Sequence, residues 1–99
     1  MSLPVSRLLE RLKSREARVG VVGLGYVGLP LAVEFARSGF HTTGIDLDER
    51  KVAAIRRGAS YIPDVASTDV AALTASGRLT ATSNFAIVES LDTVNICVP

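Results

Sequence analysis

A glycine-rich segment near residue 25 constrains the fold more than any other part of the chain. Residues 19–22 are apolar, which predicts a buried first strand over residues 18–22, and Gly23, Gly25 and Gly28 follow with the spacing G-x-G-x-x-G. Each glycine predicts a separate feature: a tight turn at Gly23, an open backbone at Gly25, and close helix–strand contact at Gly28. The free N–H groups at the start of the next helix then favour a pyrophosphate at this turn.

The residues after the turn predict an amphipathic helix over residues 26–38. Its apolar stripe is predicted to consist of Val27, Leu31, Ala32, Phe35 and Ala36. Pro30 falls in the first turn, where a missing N–H costs little, and Gly39 ends the helix. The order of strand, glycine turn and helix supports a phosphate-binding turn, and a plain βα turn without a ligand is the alternative.

A second informative residue is Asp46, which follows a predicted second strand over residues 41–45. It lies 18 residues after Gly28, close to the spacing of about 20 expected of an acid that binds the adenosine ribose. Its negative charge would repel a 2′-phosphate, which favours NAD over NADP. The alternative is that Asp46 only caps the next helix, although Asp48 is better placed for that role. Lys51 fits a contact with the adenosine side and an ordinary surface cation equally well.

The remaining elements alternate between helix and strand. They are predicted as helices over residues 49–57, 67–76 and 84–90, with Ser83 as the N-cap of the last, and as strands over residues 79–82 and 93–98. The alternation predicts an α/β fold: the first half of a Rossmann-type doubly wound parallel sheet, with strand order 3-2-1-4. The fourth strand would then lie at an open edge, which predicts self-association.

Length and composition exclude several classes of protein. The chain has 99 residues and a formal net charge of +1, so we expect one small domain without a nucleic-acid or membrane surface. One cysteine rules out an intrachain disulfide. No apolar segment approaches the ~20 residues of a membrane span, which favours a cytoplasmic protein, and no metal site is predicted. Residues 4–16 predict an amphipathic helix, packed on the domain or contacting a partner.

Three segments are similar to a known family: Gly23-Leu24-Gly25-Tyr26-Val27-Gly28-Leu29-Pro30, Gly44-Ile45-Asp46, and Ile96-Cys97-Val98-Pro99. They resemble the N-terminal, NAD-binding part of the UDP-glucose/GDP-mannose dehydrogenase family. The resemblance implies a truncated NAD-binding Rossmann domain at residues 18–99 and a helical extension at residues 1–17. By position, it implies cofactor contacts at Gly23, Leu24, Gly25, Tyr26, Val27, Gly28, Asp46, Lys51, Val98 and Pro99.

The resemblance also implies a reaction, the NAD-dependent oxidation of the C6 alcohol of a nucleotide sugar to a carboxylate by a full-length enzyme that forms a homo-oligomer. Residues 60–65 are more similar to members that act on UDP-N-acetylhexosamines, with UDP-N-acetylglucosamine as the first choice. The family's catalytic cysteine, lysine and asparagine lie beyond the resembling segment, so no catalytic residue is assigned. The chain alone is expected to lack turnover, and Cys97, in the middle of an apolar strand, to be a buried inert thiol.

Three other classes of protein share the glycine spacing. A non-catalytic module that senses NAD or a nucleotide would need the same turn and the same acid. An S-adenosylmethionine methyltransferase would have an acid just before the first glycine, where Val21 and Val22 stand. An FAD enzyme usually has glutamate at the position of Asp46.

Overall fold

The computed structural model describes residues 16–97, and most of the predicted N-terminal helix, together with Val98 and Pro99, lies outside this range. The strands are β1 (Arg18–Val22), β2 (His41–Ile45), β3 (Leu79–Thr82) and β4 (Thr93–Ile96). The helices are α1 (Gly28–Arg37), α2 (Glu49–Arg56) and α3 (Ser67–Ala75), and a 3₁₀ helix covers Phe85–Ser90. The predicted bounds of the first three strands are therefore confirmed.

The four strands form one parallel sheet in the order β3-β2-β1-β4. The predicted order is confirmed. In the register, Val21 lies beside Gly44 and Gly44 beside Ala81, so these three residues share one face of the sheet. Because parallel crossovers are right-handed, α1, α2 and α3 all cover this face. The 3₁₀ helix leads back to the far edge, and Leu91, directly after it, packs against Gly20 on the opposite face.

The hydrophobic core lies between the sheet and the three helices. Its buried members are Val21, Leu24, Leu29, Ala32, Val33, Ala36, Val52, Ile55, Ile62, Val65, Val70, Leu79 and Ala81. All of them fall between residues 21 and 81, so β4 and the 3₁₀ helix contribute no buried member to this cluster. None of the helices within residues 16–97 is long and apolar enough to cross a membrane.

The first helix begins later than the sequence suggests, and this changes its buried stripe. Val27 is its N-cap and is 68% exposed, so its predicted place in the core is wrong. The helix starts at Gly28, and the buried residues Leu29, Ala32, Val33 and Ala36 follow the helical spacing. The predicted members Leu31 and Phe35 are only partly buried against the core. The turn geometry, rather than hydrophobicity, therefore turns Val27 outward.

Two helix starts test the predicted caps. Asp48 caps α2 as expected, with its carboxylate accepting a hydrogen bond from the Arg50 N–H at 2.9 Å. That bond is the main reason that the pKa of Asp48 is lowered. The cap predicted at Ser83 is wrong, because the Asn84 side chain accepts from the Ala86 N–H at 3.0 Å. The 3₁₀ helix accordingly starts at Phe85, one residue later than predicted.

The strand β4 lies at an edge of the described sheet, and its apolar side chains are only partly covered. Val94 is 38% exposed and Ile96 is 71% exposed. We expect the polypeptide of residues 1–99 to self-associate as its concentration rises, because unpaired backbone groups beside apolar side chains pair with another chain. Sedimentation velocity over a concentration series measures this. The variant Val94→Lys should shift the distribution toward monomer, and a monomer at every concentration would contradict the prediction.

Candidate functional site

A cleft of about 710 Å³ opens at the carboxyl ends of β1 and β2. Its lining includes the predicted site residues Gly23, Leu24, Gly25, Tyr26, Val27, Asp46 and Lys51. Val22, Ile45, Leu47, Phe85, Ile96 and Cys97 complete the lining. Gly28 is buried beneath the turn instead of lining the cleft. The carboxyl edge of a parallel sheet, where the strand order reverses, is the usual ligand position in folds of this kind.

The three glycines of the turn differ in the way that the sequence predicts. Gly23 has a positive φ of 92°, which permits the sharp turn after β1. A Cβ on Gly28 would lie 1.5 Å from the Gly23 carbonyl oxygen, so only glycine lets α1 approach the strand this closely. A Cβ on Gly25 would meet nothing within 4 Å. The space beside Gly25 is therefore open to a ligand, and the fold itself does not require a glycine there.

Leu24, between the first two glycines, is held at its N–H, its carbonyl and its side chain. Its N–H donates to Asp46 Oδ2 at 2.8 Å, and its carbonyl accepts from the Tyr61 hydroxyl at 2.6 Å. Its side chain is fully buried and lies against Gly44, where an added Cβ would come within 2.8 Å of it. The Gly23 N–H also donates to the Ile45 carbonyl at 2.8 Å, which ties the turn to β2.

Asp46 has a structural role at the turn that the sequence does not reveal. One carboxylate oxygen accepts from the Leu24 N–H and the other from the Asp48 N–H, both at 2.8 Å. The carboxylate therefore joins the glycine turn to the start of α2. Each oxygen has a second lone pair, so the group can accept further hydrogen bonds from a ligand in the cleft. Asp48 performs the helix capping, which leaves Asp46 available to the cleft.

Tyr61, which sequence reasoning did not assign to the site, reaches it from the loop between α2 and α3. Its ring packs against the core and its hydroxyl meets the Leu24 carbonyl. Burial of the phenol, followed by the negative charges of Asp46 and Asp48, raises the pKa of Tyr61 well above its ordinary range. The phenol is therefore a neutral donor at physiological pH. The sequence does give one indication of this contact, a tyrosine inside the loop between α2 and α3. A tyrosine that becomes buried usually finds a hydrogen-bond partner for its hydroxyl.

The rim of the cleft is apolar and exposed. Tyr26 is 79% exposed, Val27 68% and Leu47 78%, and all three line the cleft together with the ammonium-bearing Lys51. Large apolar side chains this exposed are typical of ligand-binding or interaction surfaces. The cleft therefore combines an open glycine backbone and a carboxylate, the two features expected of a dinucleotide site, with an amine and apolar walls.

Cys97 does not lie where the sequence placed it. The strand β4 ends at Ile96, so Cys97 follows the strand instead of occupying its middle. Its side chain is partly exposed and lines the cleft, which corrects the expectation of a buried thiol. The Cys97 N–H donates to the Val22 carbonyl at 2.7 Å, so the backbone there still pairs with β1. The absence of a catalytic role for this thiol stays a prediction.

Comparison with known proteins shows which proteins the chain resembles. Residues 17–99 match the NAD binding domain of the UDP-glucose/GDP-mannose dehydrogenase family. The chain is 35% identical to the UDP-N-acetyl-D-glucosamine 6-dehydrogenase of Pseudomonas aeruginosa, with 86% of this chain and 19% of that protein covered. It is 37% identical to the UDP-N-acetyl-D-mannosamine dehydrogenase of Methanococcus aeolicus, with 92% and 20% covered.

Solved structures give the same result for the fold. The crystal structure of a ternary complex of GDP-mannose dehydrogenase from Pseudomonas aeruginosa superposes with a TM-score of 0.77 and 32% identity. The match covers 83% of this chain and 19% of that one. A UDP-glucose dehydrogenase from Pyrobaculum islandicum gives a TM-score of 0.75 and 33% identity, covering 83% and 19% of the two chains. The chain spans about a fifth of the length of these relatives.

Proposed function

The chain belongs to the UDP-glucose/GDP-mannose dehydrogenase family, as its NAD-binding domain, and on this premise we propose that the cleft at Gly25 holds the adenosine diphosphate half of NAD. The observation that carries the proposal is the juxtaposition of an open glycine backbone with a carboxylate from the next strand end. We assign the domain to residues 18–99 and treat residues 1–17 as an extension.

In this proposal the backbone N–H groups from Gly25 to Gly28 bind the pyrophosphate, since the Leu24 N–H already donates to Asp46. The start of α1 adds the positive end of its helix dipole, which favours the same negative charge. Asp46 accepts hydrogen bonds from the ribose hydroxyls through its remaining lone pairs. Lys51 and the exposed rim at Tyr26 and Val27 face the adenosine, and Val98 and Pro99 continue the chain along the cofactor after Cys97.

For the whole enzyme, we propose oxidation of a UDP-sugar at its C6 alcohol to a carboxylate, with a UDP-N-acetylhexosamine as the substrate. The relatives named for UDP-N-acetylglucosamine and UDP-N-acetylmannosamine, at 35% and 37% identity, support the sugar class. The relatives named for GDP-mannose and UDP-glucose are the competing choices. Bound NAD supplies the hydride acceptor, while the residues of this chain bind and orient its adenosine half.

The direct test is a calorimetric titration of the chain with NAD, ADP-ribose and NADP. We expect NAD and ADP-ribose to bind with similar affinity, because the proposed contacts all lie in the half that they share. NADP should bind more weakly, because the Asp46 carboxylate repels its 2′-phosphate. Failure of both NAD and ADP-ribose to bind would overturn the proposal.

The variant Asp46→Asn tests the proposed ribose contact. We expect the Kd for NAD to rise about tenfold, the effect of losing a charge-assisted hydrogen bond, and the preference for NAD over NADP to shrink. The preference is the decisive quantity, because Asp46 also supports Leu24 and its loss can weaken both ligands together.

The matched control is Asp48→Asn. It removes the same charge from the same loop at a residue outside the cleft lining, and asparagine caps helices as well as aspartate does. The ratio of the two affinities should stay unchanged in this variant. If Asp46→Asn also leaves the ratio unchanged, Asp46 does not touch the ribose.

A further inference from the structure

Pyrophosphate binding at a glycine turn depends on where the N–H groups of the turn point, and three consecutive peptide planes of this turn have separate holders. The plane between Gly23 and Leu24 is fixed by the Leu24 N–H, which donates to Asp46. The plane between Gly25 and Tyr26 is fixed by the Gly25 carbonyl, which accepts from the Leu29 N–H at 3.1 Å in the first turn of α1. The plane between them, from Leu24 to Gly25, is held by neither of these bonds and needs a holder of its own.

That holder is the Tyr61 hydroxyl, which donates to the Leu24 carbonyl at 2.6 Å. No peptide bond among the described residues is cis, so the Gly25 N–H points away from the Leu24 carbonyl and therefore away from Tyr61. Gly25 has no side chain and an added Cβ would meet no atom within 4 Å, so no packing on its α-carbon opposes rotation of this plane. The phenol thus fixes the direction of the N–H of Gly25, a residue that lines the cleft.

Tyr61 can do this because its own position is fixed. Its ring packs on the buried core cluster, and its loop is tied at Ser60, whose hydroxyl donates to the Ile62 carbonyl at 3.0 Å and accepts from the Ile62 N–H at 3.1 Å. A preorganised donor costs little conformational entropy when the ligand arrives. The loop between α2 and α3 is thereby mechanically connected to the glycine turn.

We propose that Tyr61 is a positioning residue for cofactor binding: through the Leu24 carbonyl it aims the Gly25 N–H at the pyrophosphate. The proposal rests on the proposed function, because it assumes that the turn binds a pyrophosphate. It predicts a selective effect, since only ligands that carry the pyrophosphate gain from an aimed Gly25 N–H. Adenosine, which has the ribose and the base alone, gains nothing from Tyr61.

The test compares Tyr61→Phe with the unsubstituted chain for ADP-ribose and for adenosine, by NMR titration of the amide resonances. We expect the Kd for ADP-ribose to rise about fivefold to tenfold, the usual effect of one lost hydrogen bond. The Kd for adenosine should change by less than about twofold on the same reasoning. Equal changes for the two ligands, or none for either, would overturn the proposal.

The control is Ser76→Ala, which removes a hydroxyl hydrogen bond to the Leu73 carbonyl (2.9 Å) at the end of α3 and leaves both Tyr61 and the loop that holds it unchanged. It should lower the melting temperature and leave the ratio of the two affinities as it is in the unsubstituted chain. If the unsubstituted chain binds adenosine but not ADP-ribose or NAD, the proposed function has failed and not the role of Tyr61 alone. If the unsubstituted chain binds adenosine and ADP-ribose, and Tyr61→Phe leaves the ratio of the two affinities unchanged, only the positioning role of Tyr61 is wrong.

A second measurement needs no variant and covers the case in which Tyr61→Phe does not fold. Coupling between two interactions is reciprocal, so a hydrogen bond that strengthens pyrophosphate binding is itself strengthened by the pyrophosphate. The hydroxyl proton of Tyr61 should therefore exchange with solvent several-fold more slowly with ADP-ribose bound than with adenosine bound. Equal exchange rates in the two complexes would contradict the proposal.

Discussion

Replacement of Gly28 by alanine should destabilise the chain severely, lowering the free energy of unfolding by about 3 to 5 kcal/mol, most of the stability of a small domain. The added Cβ would lie 1.5 Å from the Gly23 carbonyl oxygen and 2.7 Å from its carbon. Both atoms belong to the backbone, so no side chain can swing aside. To fit the methyl group, α1 must move away from β1 and open the core at Leu29 and Ala32.

Urea denaturation followed by circular dichroism measures this loss. Gly25→Ala is the matched control, since its Cβ meets nothing within 4 Å and its φ lies outside the left-handed region. Its free energy of unfolding should stay within about 0.5 kcal/mol of the unsubstituted chain. A Gly28→Ala chain as stable as this control would show that α1 can shift at little cost, and that the close approach is not required.

The same Gly25→Ala variant should lose NAD binding while it keeps its fold. A methyl group at this position occupies the open space beside the turn, where the pyrophosphate is proposed to contact the N–H groups of the turn. Loss of two charge-assisted hydrogen bonds corresponds to a rise in Kd of roughly 100-fold. Calorimetric titration with NAD, on protein shown to be folded, is the measurement.

The variant Gly77→Ala is a control with the opposite expectation, a loss of stability without a loss of NAD binding. At Gly77, far along the chain from the turn, φ is +79° and an added Cβ meets nothing within 4 Å. Gly77→Ala should therefore cost about 1 kcal/mol of stability through backbone strain and leave the Kd for NAD unchanged. If Gly25→Ala binds NAD as tightly as Gly77→Ala does, the pyrophosphate does not approach the chain at Gly25.

Much of the fold follows from the sequence because it depends on local patterns. The apolar, β-branched character of residues 19–22 predicts β1, and the glycines at positions 23, 39 and 58, all with positive φ, mark where elements end. The strand order then follows from the handedness of parallel crossovers, which leaves few topologies open. The roles of Gly23 and Gly28 also follow from the sequence. Their positions in the G-x-G-x-x-G spacing predict the sharp turn at Gly23 and the close contact between helix and strand at Gly28.

The errors arise where tertiary geometry decides. Val27 is apolar and fits a helical stripe, but because of the tight turn the helix begins only at Gly28, and the Val27 side chain is exposed. Cys97 lies in an apolar segment predicted as a strand over residues 93–98, but β4 ends at Ile96, directly before Cys97, and the thiol lines the cleft. Tyr61 lies 37 residues from Leu24, and no local pattern announces a hydrogen bond across that separation. Side chains that connect distant loops are visible only once the fold has brought them together.

The placement of the core between residues 21 and 81 has a consequence for how the polypeptide acquires its shape during translation. Once Ala81 has left the ribosome, every buried member of the cluster has been synthesised, and all belong to units that are neighbours along the chain. A nascent chain can therefore bury this hydrophobic core first, and β4 can join the edge of the sheet afterwards. Release of the chain from the ribosome just after residue 82 should leave a folded, protease-resistant domain, whereas release before β3 should not.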